Sequence, residues 1–229
     1  MALRIDERAN DFDEIDRFDR GVGWIAHPEE HMRRASHALE VDGEVWVFDP
    51  VDAEGVDDLF AEFGDVRGVV VLFNNHTRDA AAIAERHDVP VYLPDFFEGV
   101  AEELDPETPV GRFGAELLDT GLETRVVRNN RLWQEAALFD PDDGTLLVGE
   151  TVGTVEYFRA GSERLGVHPM QRLFPPREAF DGLDPERILV GHGGGIFWNA
   201  DVALERALSN ARKRLPRAYA ETAWRALPF

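Results

Sequence analysis

The chain has 229 residues, of which 24 are basic and 45 acidic, giving a formal net charge of −21, and 44% are hydrophobic. A chain of this length buries roughly 70% of its unfolded surface, enough for a sizeable core, while its acidity repels phosphate backbones and sets nucleic acid aside as a partner. The complete lack of cysteine excludes disulfides, thiolate metal sites and a cysteine nucleophile, and no run approaches the ~18 apolar residues of a membrane span.

The first twenty residues are polar and acidic and read as an edge strand or a loose arm. Strand-like runs follow at Val22–His27, Ala35–Val41 and Glu44–Asp49, the last two joined by Asp42-Gly43, a strong hairpin signal. Val56–Phe63 places Val56, Leu59, Phe60 and Phe63 on one helical face. Gly68–Phe73 is a continuous apolar run, as expected of a strand covered on both sides. A helix with Ala80, Ile83, Ala84 and His87 in step precedes a strand at Val89–Leu93, which completes a βαβ unit. Residues 95–121 are punctuated by Pro and Gly and carry no firm assignment. Strands resume at Leu122–Arg128, Leu132–Phe139 and Thr145–Glu150, then at Arg187–Gly191. A final helix starts near Asn199, with Leu204, Ala207, Leu208, Ala211 and Leu215 as its apolar stripe. Two runs of strands, each ending in a βα unit, predict one domain over residues 1–229, with two packed sheets and helices outside them.

Three segments carry polar residues at strand ends, where sites collect in α/β arrangements. They are the loop Asn75-His-Thr-Arg-Asp-Ala80, the strand Thr145-Leu-Leu-Val-Gly-Glu150, and Ile188-Leu-Val-Gly-His-Gly-Gly-Gly195, whose glycines leave His192 open. Two other matches fail. His27-Pro-Glu-Glu-His31 spells HxxEH, but Pro28 suits only a first helical turn, which makes His27 a cap. His192-Gly-Gly-Gly195 spells the lipase HGGG, yet the chain has no Gly-x-Ser-x-Gly.

In this order, over roughly residues 22–215, the segments resemble the metallo-β-lactamase superfamily, which implies a four-layer αββα sandwich. By that resemblance Asp49 closes the first conserved strand as a structural aspartate. Asn75–Ala80 takes the place of HxHxDH, Glu150 that of the metal-bridging aspartate, and His192 that of the final metal-binding histidine. The resemblance implies two zinc ions held mainly by histidines and a water activated between them. Here the motif reads Asn75, Thr77, Asp79 and Ala80, so only the aspartate matches. With the register shifted by one, His76 takes the second histidine's place, but Asn74 and Arg78 fill the others. No histidine lies between His87 and His168.

The expected site is therefore Asp79, Glu150 and His192, with His76 as a fourth ligand if it turns inward. That set suits no metal or one weakly held divalent ion. Arg78 either pairs with Asp79 or Glu150, holds an anionic ligand, or is a solvated first-turn residue. The expectation is a catalytically impaired or binding member of the fold. A mononuclear metal-dependent hydrolase of an ester or phosphoester is the alternative. The start of the chain lacks the apolar stretch of a secretory signal, so a cytoplasmic protein is expected. A small molecule is left as the partner class, with the oligomeric state open. The acid-rich composition, with Lys213 as the single lysine, resembles that of salt-accumulating halophilic archaea.

Overall fold

The computed structural model describes residues 4–225, with side chains described as far as residue 221. A seven-stranded sheet takes its strands in chain order: β1 (Asp13–Phe18), β2 (Gly21–Ile25), β3 (Ala35–Val41), β4 (Glu44–Phe48), β5 (Asp65–Val70), β6 (Val91–Pro94) and β7 (Val110–Phe113). β1 to β4 form an antiparallel meander, and β4 to β7 run parallel. The helices α1 (Val56–Ala61) and α2 (Ala80–His87) make the first two parallel crossovers. In the second sheet, β8 (Glu123–Asn130), β9 (Trp133–Asp140) and β10 (Thr145–Val148) are antiparallel. A two-stranded ribbon of β11 (Val152–Gly153) and β12 (Gly166–Val167) follows. Then β13 (Arg187–Val190) pairs parallel to β10, and α3 (Ala200–Arg225) closes the fold.

Strand alternation accounts for the layering. On β4, Val45 and Val47 join Ile83 and Ala84 of α2 in one buried cluster, while Trp46 and Phe48 face the other way. On β10, Leu146 and Val148 pack with Leu204 and Leu208 of α3, while Leu147 faces inward. Between the sheets, Leu39, Trp46, Phe48 and Leu72 meet Leu138, Leu147 and Leu189. Helices outside, sheets inside and three apolar seams make the αββα sandwich.

The turn between β3 and β4 has φ of 54° at Asp42 and 84° at Gly43, the paired positive values that an Asp-Gly hairpin predicts. Two differences from the sequence reading have clear causes. The run Gly68–Phe73 leaves the first sheet after Val71, whose N–H still reaches the Tyr92 carbonyl of β6 (3.1 Å). Its end and the residue that follows then bond to the second sheet, with Ala136 N–H on the Leu72 carbonyl (2.9 Å) and Asn74 N–H on the Gln134 carbonyl (2.9 Å). The run is apolar throughout because both faces are covered, Val69 and Val71 packing on the α2 side and Val70 and Leu72 between the sheets. Within the unassigned 95–121 stretch, β7 is a short edge strand with little apolar patterning, its Val110 being exposed. A second stitch joins the sheets at 33–35, where Ala35 N–H reaches the Gly191 carbonyl and Gly193 N–H the Arg33 carbonyl, both at 2.9 Å. The candidate site lies between these two stitches.

Candidate functional site

β4 and β5, like β10 and β13, run parallel, and the loops beyond their carboxyl ends bring Asp49, His76, Glu150 and His192 together. Asp49 sits just past β4 with φ of 45°, a conformation Asp tolerates better than most residues. Its Oδ1 accepts the Leu72 N–H (2.8 Å), and its Oδ2 lies 2.9 Å from His76 Nδ1. His76 Nε2 is 3.0 Å from Glu150 Oε2, and His192 Nε2 is 2.8 Å from the same oxygen. His192 Nδ1 is 2.9 Å from the Met32 carbonyl. His76, Glu150 and His192 are only 5%, 6% and 4% exposed. A carbonyl oxygen can only accept, so His192 Nδ1 carries a proton, and the Asp49 carboxylate holds the Nδ1 proton of His76 in the same way. Both Nε2 atoms are thereby aimed at Glu150.

The charges reinforce one another. Burial alone raises the Glu150 carboxyl, but the imidazoles of His192 and His76 outweigh it and hold the group well below the usual carboxylate range. For His76, burial and Arg78 disfavour the charged ring, yet Asp49 and Glu150 prevail and raise its pKa. His168, from the segment after β12, adds a further contact that no motif announced. Its Nδ1 accepts the Met170 N–H (3.2 Å), which leaves the neutral ring's proton on Nε2, 3.4 Å from Glu150 Oε1. Burial pushes His168 down to about 4, so the ring is neutral near pH 7 and offers Glu150 a proton rather than a lone pair.

Among the described residues, the ligating atoms of His76, Glu150 and His192 form one group within 4.8 Å of one another. Asp79 is not in it. Its Oδ2 instead accepts the Asp52 N–H (2.8 Å), so the expectation for Asp79 gives way to anchoring the chain after β4 against the start of α2. His27 of the HxxEH match is also elsewhere, its Nε2 3.0 Å from the Glu7 carbonyl, and residues 27–33 form turns and bends rather than a helix.

Arg78 pairs with none of the carboxylates proposed for it. Its φ is 40°. Nη1 donates to the carbonyls of Ala35 (2.7 Å) and Asp49 (2.6 Å), and Nη2 donates to that of Gly191 (3.0 Å) while lying 3.3 Å from His76 Nε2. Burial brings its pKa down to about 10, which leaves it charged at neutral pH. One guanidinium thus joins the ends of β3, β4 and β13 beside the imidazoles.

Aromatic rings cover the group. Phe158 stacks on His192 (5.3 Å, 25°) and meets His168 edge-on (5.3 Å), and Trp133 lies against both His168 (5.0 Å) and Phe73 (4.8 Å). Phe73 in turn meets His76 edge-on at 5.0 Å.

No family model and no curated protein matches the sequence. Solved structures do match the fold. The DIM-1 metallo-β-lactamase exposed to ceftazidime is 12% identical, with 95% of this chain and 100% of that chain covered at a TM-score of 0.61. A metallo-β-lactamase from Pontibacter korlensis is 13% identical over 90% and 99%, at 0.62. TTHA1623 in a di-iron-bound form is 21% identical over 75% and 93%, at 0.54. The fold is that of the metallo-β-lactamases. No described helix is long and apolar enough to cross a membrane.

In this metallo-β-lactamase fold the donor set of His76, Glu150 and His192 fits one divalent ion. The two Nε2 atoms and the Glu150 carboxylate converge, and each Nδ1–H is committed to an outer acceptor, the arrangement usual around a metal-bound histidine. Both oxygens of Asp49 are already engaged, Arg78 lies beside His76, and among the described residues no second such group of ligating atoms is present.

Proposed function

We propose that this chain is a divergent metallo-β-lactamase-fold protein without the dinuclear ligand set, which binds a small molecule rather than hydrolysing one. Arg78 carries this reading. A permanent cation 3.3 Å from His76 Nε2 offsets the Asp49 and Glu150 carboxylates without an ion, and so lowers the gain from binding one. The aromatic cover speaks against hydrolysis too, because a hydrolytic centre needs an open ligand position for water and substrate.

The second reading is a mononuclear metal-dependent hydrolase of an ester or phosphoester, favoured by the outward commitment of both Nδ1–H groups. There His76, Glu150 and His192 would hold the ion, with Asp49 and the Met32 carbonyl fixing the rings and His168 orienting Glu150. The ion would supply Lewis acidity and a water of lowered pKa. Elemental analysis of protein purified without chelator separates the two readings. Well under one transition-metal ion per chain is expected, with esterase and phosphodiesterase signals near background that His192→Ala leaves unchanged. A stoichiometric metal lost in both His192→Ala and His76→Ala would overturn the binding reading in favour of the hydrolase.

The excess of acids over bases, with a single lysine, supports a cytoplasm of high salt as its setting. Screening shortens from about 30 Å at 0.01 M to about 3 Å at 1 M salt, so thermal unfolding is expected at a higher temperature in molar KCl than in dilute buffer. The opposite order would remove the halophilic reading.

A further inference from the structure

Glu135 lies in the middle of β9 and is fully buried, where an ionisable side chain is rare unless partnered. Its Oε1 accepts two successive backbone N–H groups, those of Glu150 (2.8 Å) and Thr151 (2.7 Å). Its Oε2 accepts the Thr151 hydroxyl (2.5 Å) and the indole N–H of Trp133 (2.8 Å). The Thr151 hydroxyl also accepts from Gln171 Nε2 (2.8 Å). These donors leave the Glu135 carboxylate no reach of its own into the site. They do fix the two residues with which the chain leaves β10, and one of these is Glu150.

We propose that Glu135 is a positioning residue, whose carboxylate clamps the backbone at Glu150 and Thr151 and so aims the Glu150 carboxylate at His76 and His192. The inference rests on Glu150, His76 and His192 forming the site. β10 ends at Val148, and a ladder partner no longer sets the backbone where the acid must project. A side chain from β9 replaces it. The indole of Trp133, which covers His168 and Phe73, hangs from the same carboxylate, so clamp and cover share one anchor.

The test uses the full chain and two readouts. In 15N spectra of the histidine side chains, Glu135→Gln should displace the Nε2 resonances of His76 and His192 in the direction produced by Glu150→Gln. Their Nδ1 resonances, tied to Asp49 and the Met32 carbonyl, should stay in place. A merely structural role would leave this Nε2 pattern unmoved in the folded variant. Titration with Zn2+ alone should show Glu135→Gln binding roughly tenfold or more weakly than the wild type, as for loss of an outer partner of a ligand. Unmoved Nε2 resonances with unchanged Zn2+ affinity would overturn the proposal. If Glu135→Gln does not fold, Thr151→Val removes one donor from the same clamp. It should cause a smaller displacement of the same sign, and no displacement would overturn the proposal. A wild-type chain that takes up no Zn2+ bears on the single-ion reading alone, and the histidine spectra then decide the role of Glu135.

Discussion

Arg78→Ala is expected to cost about 3 kcal/mol, the scale for removing one partner from a buried charged set. The change strips a donor from the carbonyls of Ala35, Asp49 and Gly191 and leaves the Asp49 and Glu150 carboxylates short of a cation. Arg78→Lys should recover only part of the loss, because a single ammonium cannot span three carbonyls as a planar fork does. Removing the guanidinium also removes the charge that opposes an incoming ion. Added Zn2+ should therefore stabilise Arg78→Ala more than it stabilises the wild type. Urea unfolding with and without Zn2+ measures both effects. A loss below ~0.5 kcal/mol, the range of surface substitutions, would make Arg78 a solvated residue after all.

Arg172→Met is expected to cost about 3–5 kcal/mol, because it leaves a buried carboxylate without its partner. Arg172 is fully buried and grips Glu163 through Nη1 (3.3 Å) and Nη2 (2.6 Å), with Nη2 also donating to the Phe158 carbonyl (2.5 Å). Glu163 itself accepts the Ala160 N–H at 2.7 Å, so the pair pins the loop that presents Phe158 to the imidazoles. Arg214, at 3.7 Å from Glu163, offsets a part of the loss. The double change with Glu163→Gln should cost clearly less than the sum of the single changes, as expected of coupled neighbours. Additive losses in urea unfolding would show that the two side chains act independently.

Local physics made much of the architecture legible in advance. The apolar period of α2, the strand-like runs of β3 and β4 and the Asp-Gly turn between them all depend on neighbours in sequence. The site was legible where a strand ends in a marked residue, as at Glu150 and His192, and much less so elsewhere. Asp79 matched a motif by position, yet its carboxylate turned to the Asp52 N–H, because the direction of a side chain at a helix start depends on what packs beside it. His168 stands in a long irregular segment, and Glu135 reads as an ordinary polar residue of a strand. What makes both matter is the crossing of 72–74 onto β9 and the return of the chain after β12, contacts between residues far apart in sequence that no local pattern encodes.

The rings around Glu150 close on themselves: Phe73 touches His76, His76 touches His192, His192 touches Phe158, Phe158 touches His168, His168 touches Trp133, and Trp133 returns to Phe73. In such a circuit each ring is wedged by two others, so none can turn aside by a rotamer flip of its own. Admission to the centre is then a collective event, belonging to the microsecond-to-millisecond breathing of packed elements rather than to the picosecond-to-nanosecond motion of single exposed side chains. Entry to Glu150 should therefore be slower than for an open site, rising with ligand concentration and levelling off at the rate with which the circuit opens.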